Sequence, residues 1–488
     1  MVTRERRPAT KMKPWRGVGS EHMMKLYAHS GVASVVFCAL WVMFGGREAH
    51  AWSEHALLTA AVFEGQAEVR EAAPVKVETL ESFLGVEAEK LEKLLADEEE
   101  WARKNLRWYR PRPEALAFKA RGDAGEIRTR FCRAIRINPA SALKLYLQLL
   151  PNEDLQGRQI VPINQLIFLK DTSTWKNTKM VALSPGELVP ALAVLATASD
   201  EPDLGLDVGL FSDNGTECGL AYGFGRQPFG NPHLDYGSQA PFHMGFYHER
   251  RITYLLAGFL NETYPEFRIH LYKTLSRFAF ETGHPYWGWR FAGWGLHHIG
   301  DLCQPYHSTV LPRVSTLRAI WVSGLSSLGI EKPKAKLIQL VSNKHLAFEK
   351  FVQIQLQGAW LTRQTNALML AVLRGTNTPI PYDDHTPRDR VARFSHAKAV
   401  LTDRTVTECM PPKYVSDPRF EFGTSSEQDQ LVDKIRSEKG EAAVAKLTAV
   451  SCDLLELYRD HGRAYMHAIL SAAQPQPKDR GETNAFVL

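Results

Sequence analysis

Apolar and polar positions recur at helical spacing over most of the chain. Residues 85–105 (GVEAEKLEKLLADEEEWARKN) put leucines on one face and charges on the other, predicting an exposed amphipathic helix. Residues 56–200 read mainly helical, with further helix over 113–150 that includes ASALKLYLQLL. In SPGELVPALAVLATASD, Ser184 is the expected N-cap and Pro185 the first helical residue. That helix should end at Asp200-Glu201-Pro202-Asp203, where Pro202 disfavours continuation. Helical patterning returns over 250–300, and the helix carrying His345 is expected to run to about Arg374. Residues 204–245 are rich in Gly and Pro and predict a long ordered loop. Residues 308–344 predict a long connection with some helix, and 375–392 a loop. Few segments alternate as strands do. The expected fold is all-α: a single multi-helix domain over residues 52–473 with long loop insertions, followed by a polar tail at 474–488.

The front of the chain follows a different pattern. A basic start leads to an apolar run over about 31–44 (GVASVVFCALWVMF), then to Ala49-His50-Ala51. This reads as a signal peptide over residues 1–51 with an extended basic segment and an A-x-A cleavage site. The run is shorter than the ~20 residues that span a bilayer comfortably. Cleavage after Ala51 would make Trp52 the mature N-terminus and place the protein outside the cell or in a periplasm.

Charge sharpens this division. The whole chain is 44% hydrophobic and 23% charged, ordinary for a globular protein, with a net charge of +5. Residues 1–51 hold eight Lys/Arg and three Asp/Glu; taking these from 59 and 54 leaves 51 of each sign in the body. The body therefore has no global basic footprint of the kind nucleic-acid binders carry. Five cysteines follow the leader (Cys132, Cys218, Cys303, Cys409, Cys452), an odd number without a C-x-x-C pair, so no disulfide framework is implied.

The candidate chemistry is concentrated in GWGLHHIGDLCQPYH, residues 293–307. His297 and Asp301 are four apart and share a helical face. Gln304-Pro305 should end that helix and let the chain turn His307 back towards the same place. Imidazole and carboxylate together suit a borderline metal such as zinc. A second pair, His345 and Glu349, repeats the spacing. Upstream, Asp200 or Asp203 is the best carboxylate candidate, and one of His243 and His248 the best imidazole. A free amine at Trp52, with a pKa near ~8, could chelate a metal together with its own carbonyl, and His55 lies one turn further on.

These residues resemble the zinc-dependent phospholipase C and S1/P1 nuclease superfamily, whose members are secreted helical hydrolases with a trinuclear zinc cleft. Their central motif, H-x-x-G-D-x-x-x-P-x-H, is matched by His297, Gly300, Asp301, Pro305 and His307. Their downstream H-x-x-x-E, the phospholipase form, is matched by His345 and Glu349; nucleases carry H-x-x-x-D. The resemblance covers short islands. It departs in the spacing of Trp52 to His55 and in two longer gaps, from Trp52 to the acidic turn and from His307 to His345.

The resemblance implies up to three zinc ions. One would take Asp200 or Asp203, His243, His297 and Asp301; the second His307, His345 and Glu349; the third Trp52, His55 and a bridging oxygen of Asp301. Asp200 or Asp203 would handle the proton of the attacking water. The implied activity is phosphodiester hydrolysis at a phospholipid or membrane surface, with no protein partner implied. An alternative is a single-strand nuclease or 3′-nucleotidase, for which Tyr222, Phe224 and Phe229 would offer a base-stacking platform. A second alternative is a non-catalytic secreted protein with a structural metal.

Overall fold

The computed structural model describes residues 54–473 except 171, 173–174, 231–234, 316–317, 319–320, 322–331, 365 and 377–378. The leader, Trp52 and the polar tail lie outside the described residues.

Helix α1 (His55–Phe63) is buried at every position, so it runs inside the domain with no solvent face. Helix α2 (Leu80–Asn105) is the amphipathic surface helix predicted from its charges; Thr79 caps it by accepting from Ser82 N–H at 3.1 Å. Helix α3 (Ile127–Ile135) packs beside α2. Helix α4 (Ala191–Asp200) lies against α1 and continues into a 3₁₀ turn, Glu201–Leu204. A one-turn helix, α5 (Ala240–His243), closes the long loop.

Two longer helices follow, α6 (Pro265–Glu281) and α7 (Pro285–Cys303), each opening on a proline at its first position. Helix α7 is the axis of the domain. It packs on α4, on α6 and on the last helix, and is buried from Tyr286 to Cys303. Leu296, Ile299 and Leu302 are each at most 1% exposed, and burying each contributes about 2 kcal/mol. Gly293 lets α7 approach α4: a Cβ there would stand 2.6 Å from Ala198 Cβ. Gln304 is extended, as a residue before proline must be, and α8 (Pro305–Ser308) turns away after it. Helices α9 (Lys332–Leu361), α10 (Leu368–Arg374), α11 (Arg393–Cys409) and α12 (Glu441–Ala473) complete the shell.

Several expected elements differ. Within ASALKLYLQLL, Tyr146–Leu149 is a strand, β2, pairing antiparallel with β3 (Lys179–Ala182). Its Gln148 N–H donates to Thr197 Oγ1 on α4, a tertiary bond that local propensity does not register. A second ribbon joins β1 (Val75–Lys76) to β4 (Leu188–Val189). Ser184 is not an N-cap: Ser184 to Glu187 form a turn with Gly186 at φ 88°, and α4 starts only after Pro190. The His345 helix breaks at Leu361 before α10 begins. All five cysteines are free.

Candidate metal centre

Six elements deliver the candidate ligands to one buried place. Helix α1 opens with His55; the 3₁₀ turn carries Asp203; α5 ends with His243. Helix α7 supplies His297 and Asp301, α8 His307, and α9 His345 and Glu349. None of these residues is more than 5% exposed.

The first group gathers around Asp301 Oδ2. His243 Nδ1 lies 3.1 Å from it and His297 Nε2 3.3 Å, and the two ring nitrogens are 3.1 Å apart. Asp203 Oδ1 stands 3.6 Å from His243 Nδ1 and 3.7 Å from His297 Nε2. Ligands about 2.0–2.2 Å from one tetrahedral ion sit about 3.3–3.5 Å from each other, close to the distances among His243, His297 and Asp301. The second group joins His307 Nε2, His345 Nε2 and Glu349 Oε1, at 3.1, 2.7 and 3.6 Å pairwise. It supplies three corners of such a tetrahedron. Between α1 and α7, His55 Nε2 faces the other Asp301 oxygen, Oδ1, at 3.7 Å. Gly300 makes this approach possible: a Cβ there would lie 2.9 Å from the His55 ring. Buried histidine and carboxylate groups spaced in this way can hold metal ions.

The ring nitrogens that face away from the groups are held by the backbone. His297 Nδ1 bonds Ser199 O at 2.8 Å, and His307 Nδ1 bonds His243 O at 3.0 Å. A ring held at one nitrogen by a carbonyl presents its other nitrogen as a lone pair. Gln304 Nε2 donates to Glu349 Oε1 at 3.0 Å, while its own Oε1 accepts from Tyr306 N–H. The turn bearing Asp203 is fixed by a buried pair: Arg290 donates to both oxygens of Glu201 at 2.8 and 2.6 Å, and Trp294 Nε1 adds a third bond at 2.6 Å.

The electrostatics show how closely these groups interact. Burial opposes charge on His297, but Asp301 and Asp203 overcome it and push its imidazole up to about 9. Burial also opposes a charged Asp301, yet His297 and His243 hold it well below the usual carboxylate range. His55 is held well below the usual imidazole range by burial and by His297. Both Asp301 oxygens and both His55 nitrogens are buried without a hydrogen-bond partner among the described residues. Buried polar atoms left in this way cost free energy unless something binds them.

Of the two upstream aspartates, Asp203 joins the ligand atoms. Asp200 is turned to the start of α1, accepting from Ala56 N–H at 3.2 Å and Gln148 Nε2 at 2.7 Å. Of the two histidines, His243 is in the cluster; His248 bonds Arg388 O at 2.7 Å beside His396. Tyr222, Phe224 and Phe229 are at most 2% exposed and pack into the loop's apolar cores, so they form no stacking platform. Trp52 lies outside the described residues, so its amine cannot be placed. Two residues escaped the sequence reading. His298 is fully buried with neither ring nitrogen hydrogen-bonded among the described residues, and its Nδ1 is 3.7 Å from Asp301 Oδ2. Its place beside His297 was the only signal. Asp207 is bonded by Arg268 and lies 3.7 Å from His243 Nε2, a link visible only in three dimensions.

Compared with known proteins, the chain matches no family model, no curated protein and no solved structure.

Proposed function

We propose that this chain is a secreted zinc-dependent phosphodiester hydrolase that cleaves a phospholipid headgroup ester. The observation that carries this reading is the pairing of two ligand groups. One brings His243, His297 and Asp301 together with Asp203 3.6–3.7 Å from both rings, and the other joins His307, His345 and Glu349. Three protein ligands with a corner to spare mark catalytic zinc sites, whereas structural sites fill all four. Bound zinc supplies Lewis acidity there, neutralising phosphoryl oxygens and acidifying water.

The chain's own groups do the rest. Asp301 can bridge, because its two oxygens face different imidazoles. Asp203, at the rim of the first group, is the carboxylate placed to take or orient the proton of an attacking water. Gln304 holds Glu349 in place through its side-chain amide. Glu349, where nucleases of the resembled superfamily carry aspartate, favours the phospholipid over the nucleic-acid substrate. Trp52 and His55 are the proposed holders of a third ion.

The test is hydrolysis by zinc-loaded protein of phosphatidylcholine, of a water-soluble phosphocholine ester and of single-stranded DNA. The proposal expects release of phosphocholine that a chelator stops and zinc restores. Cleavage of DNA alone would move the assignment to the nuclease, and no chelator-sensitive cleavage of any substrate would leave a structural metal.

A further inference from the structure

A cavity of about 1010 Å³ opens on the surface and shares none of its lining residues with the ligand cluster. This is the size of sites that enclose whole small ligands, about 300–1,000 Å³. Its wall is aromatic, including Trp108, Tyr109, Phe246, Tyr247, Phe259 and Phe267. The same stretch of chain serves both places. Phe246 is three residues after the ligand His243, so their Cα atoms lie within about 11 Å. Between them Gly245 N–H donates to the carbonyl of another ligand, His307, at 2.8 Å.

The rim exposes apolar side chains that a water-facing surface would normally hide. Leu255 is 75% exposed, Trp108 49% and Ile252 40%. Leu255 and Ile252 share a face of the short helix Arg251–Leu256. Charge on the rim is unbalanced in one direction. The two acids in the lining are answered, Glu262 by Arg110 at 2.8 Å and Glu266 by Arg388 at 3.4 Å. Arg107 and Arg251 are exposed and have no carboxylate partner among the described residues; Arg107 lies only over the Trp108 ring, at 5.2 Å. Aliphatic rim, tryptophan at the lip and unanswered guanidinium groups together match an interfacial lipid surface, where a chain enters apolar space and anionic headgroups stay outside.

We propose that this cavity takes an acyl chain of a phospholipid at an anionic membrane surface, with Arg107 and Arg251 meeting the charged headgroups. The inference rests on the phospholipid reading above and names the anionic membrane surface on which that lipid is met.

The test uses the full zinc-loaded chain with vesicles of phosphatidylcholine alone and of phosphatidylcholine mixed with phosphatidylglycerol, either lipid carrying brominated acyl chains. Bromine quenches tryptophan on contact, and subtracting the Trp108→Phe protein isolates Trp108 from the other tryptophans. The expected result is quenching of Trp108 by brominated phosphatidylglycerol vesicles. Arg107→Gln and Arg251→Gln should each weaken binding to those vesicles about fivefold, and Leu255→Glu should also weaken it. Equal quenching with and without Trp108, arginine variants that bind as the parent does, or displacement by single-stranded DNA would overturn the proposal. A soluble phosphocholine ester run in parallel separates the two ideas. Its cleavage without vesicle binding refutes the cavity alone, whereas vesicle binding without any cleavage refutes the hydrolase and keeps the lipid site.

Discussion

Asp301 Oδ1 lies 3.7 Å from His55 Nε2, so the central carboxylate turns one oxygen to the start of α1 while its other oxygen meets His297 at 3.3 Å. The consequence is that, under the proposed function, one side chain ties two candidate metal positions together. Asp301→Asn keeps the volume but removes the charge. Metal content should fall by more than one ion per chain, and phosphodiester hydrolysis should drop by at least about 100-fold, as expected when a metal's anionic ligand is removed. Elemental analysis beside an activity assay checks both.

The second group should be separable from the first. His345 comes from α9, a different element from those that build the His297 group. His345→Ala is expected to lose one ion and retain the other, with activity falling by a similar large factor. Native mass spectrometry reads the number of ions directly. Loss of all metal would show that the groups act as one site.

Metal uptake should release protons. In the metal-free protein His297 is pushed up to about 9, so it holds a proton through the neutral range that a metal must displace. Apparent affinity is therefore expected to rise with pH up to about 9. Titration calorimetry in buffers of different ionisation heat should show net proton release at pH 7. An uptake of protons would contradict this charge assignment.

The pair Arg290–Glu201 carries stability rather than chemistry. Both side chains are at most 4% exposed, and Glu201→Gln would leave Arg290 without its anion. Breaking such a buried pair costs about 3–5 kcal/mol. Urea denaturation of the metal-free protein should show that loss. Weakened metal binding would follow, because the turn holding Asp203 loses its anchor.

The helical class was legible because α2, α6 and α7 carry strong helical periodicity and proline or threonine start signals. The pairing of the central candidate ligands was legible because His297–Asp301 and His345–Glu349 are local i, i+4 pairs whose geometry follows from the helix itself. What stayed hidden was decided by tertiary partners. Choosing Asp203 over Asp200 depends on the Ala56 and Gln148 bonds that turn Asp200 away. The strand at Tyr146–Leu149 depends on its partner strand Lys179–Ala182, far along the chain. The loop aromatics looked like a platform because composition marks aromatic residues but not whether the loop folds over them.

Glu266 sets a pH dependence away from the cluster. Burial outweighs the nearby Arg388 and His385 and pushes its carboxyl up to about 7. The native state then holds a proton that the unfolded chain, with a carboxylate pKa of about 4.3, has already released. More protons are bound in the native state across that window, so stability falls as pH rises from about 4.3 to about 7. Glu266→Gln should flatten this slope, by on the order of 4 kcal/mol over the window. Chemical denaturation of metal-free protein at several pH values measures it.

The most direct measurement is the metal content of purified protein beginning at Trp52, beside the same protein carrying Asp301→Asn. The account predicts two to three zinc ions per chain in the first and a loss of more than one in the second. Protein without stoichiometric metal, or metal unaffected by Asp301→Asn, would contradict it.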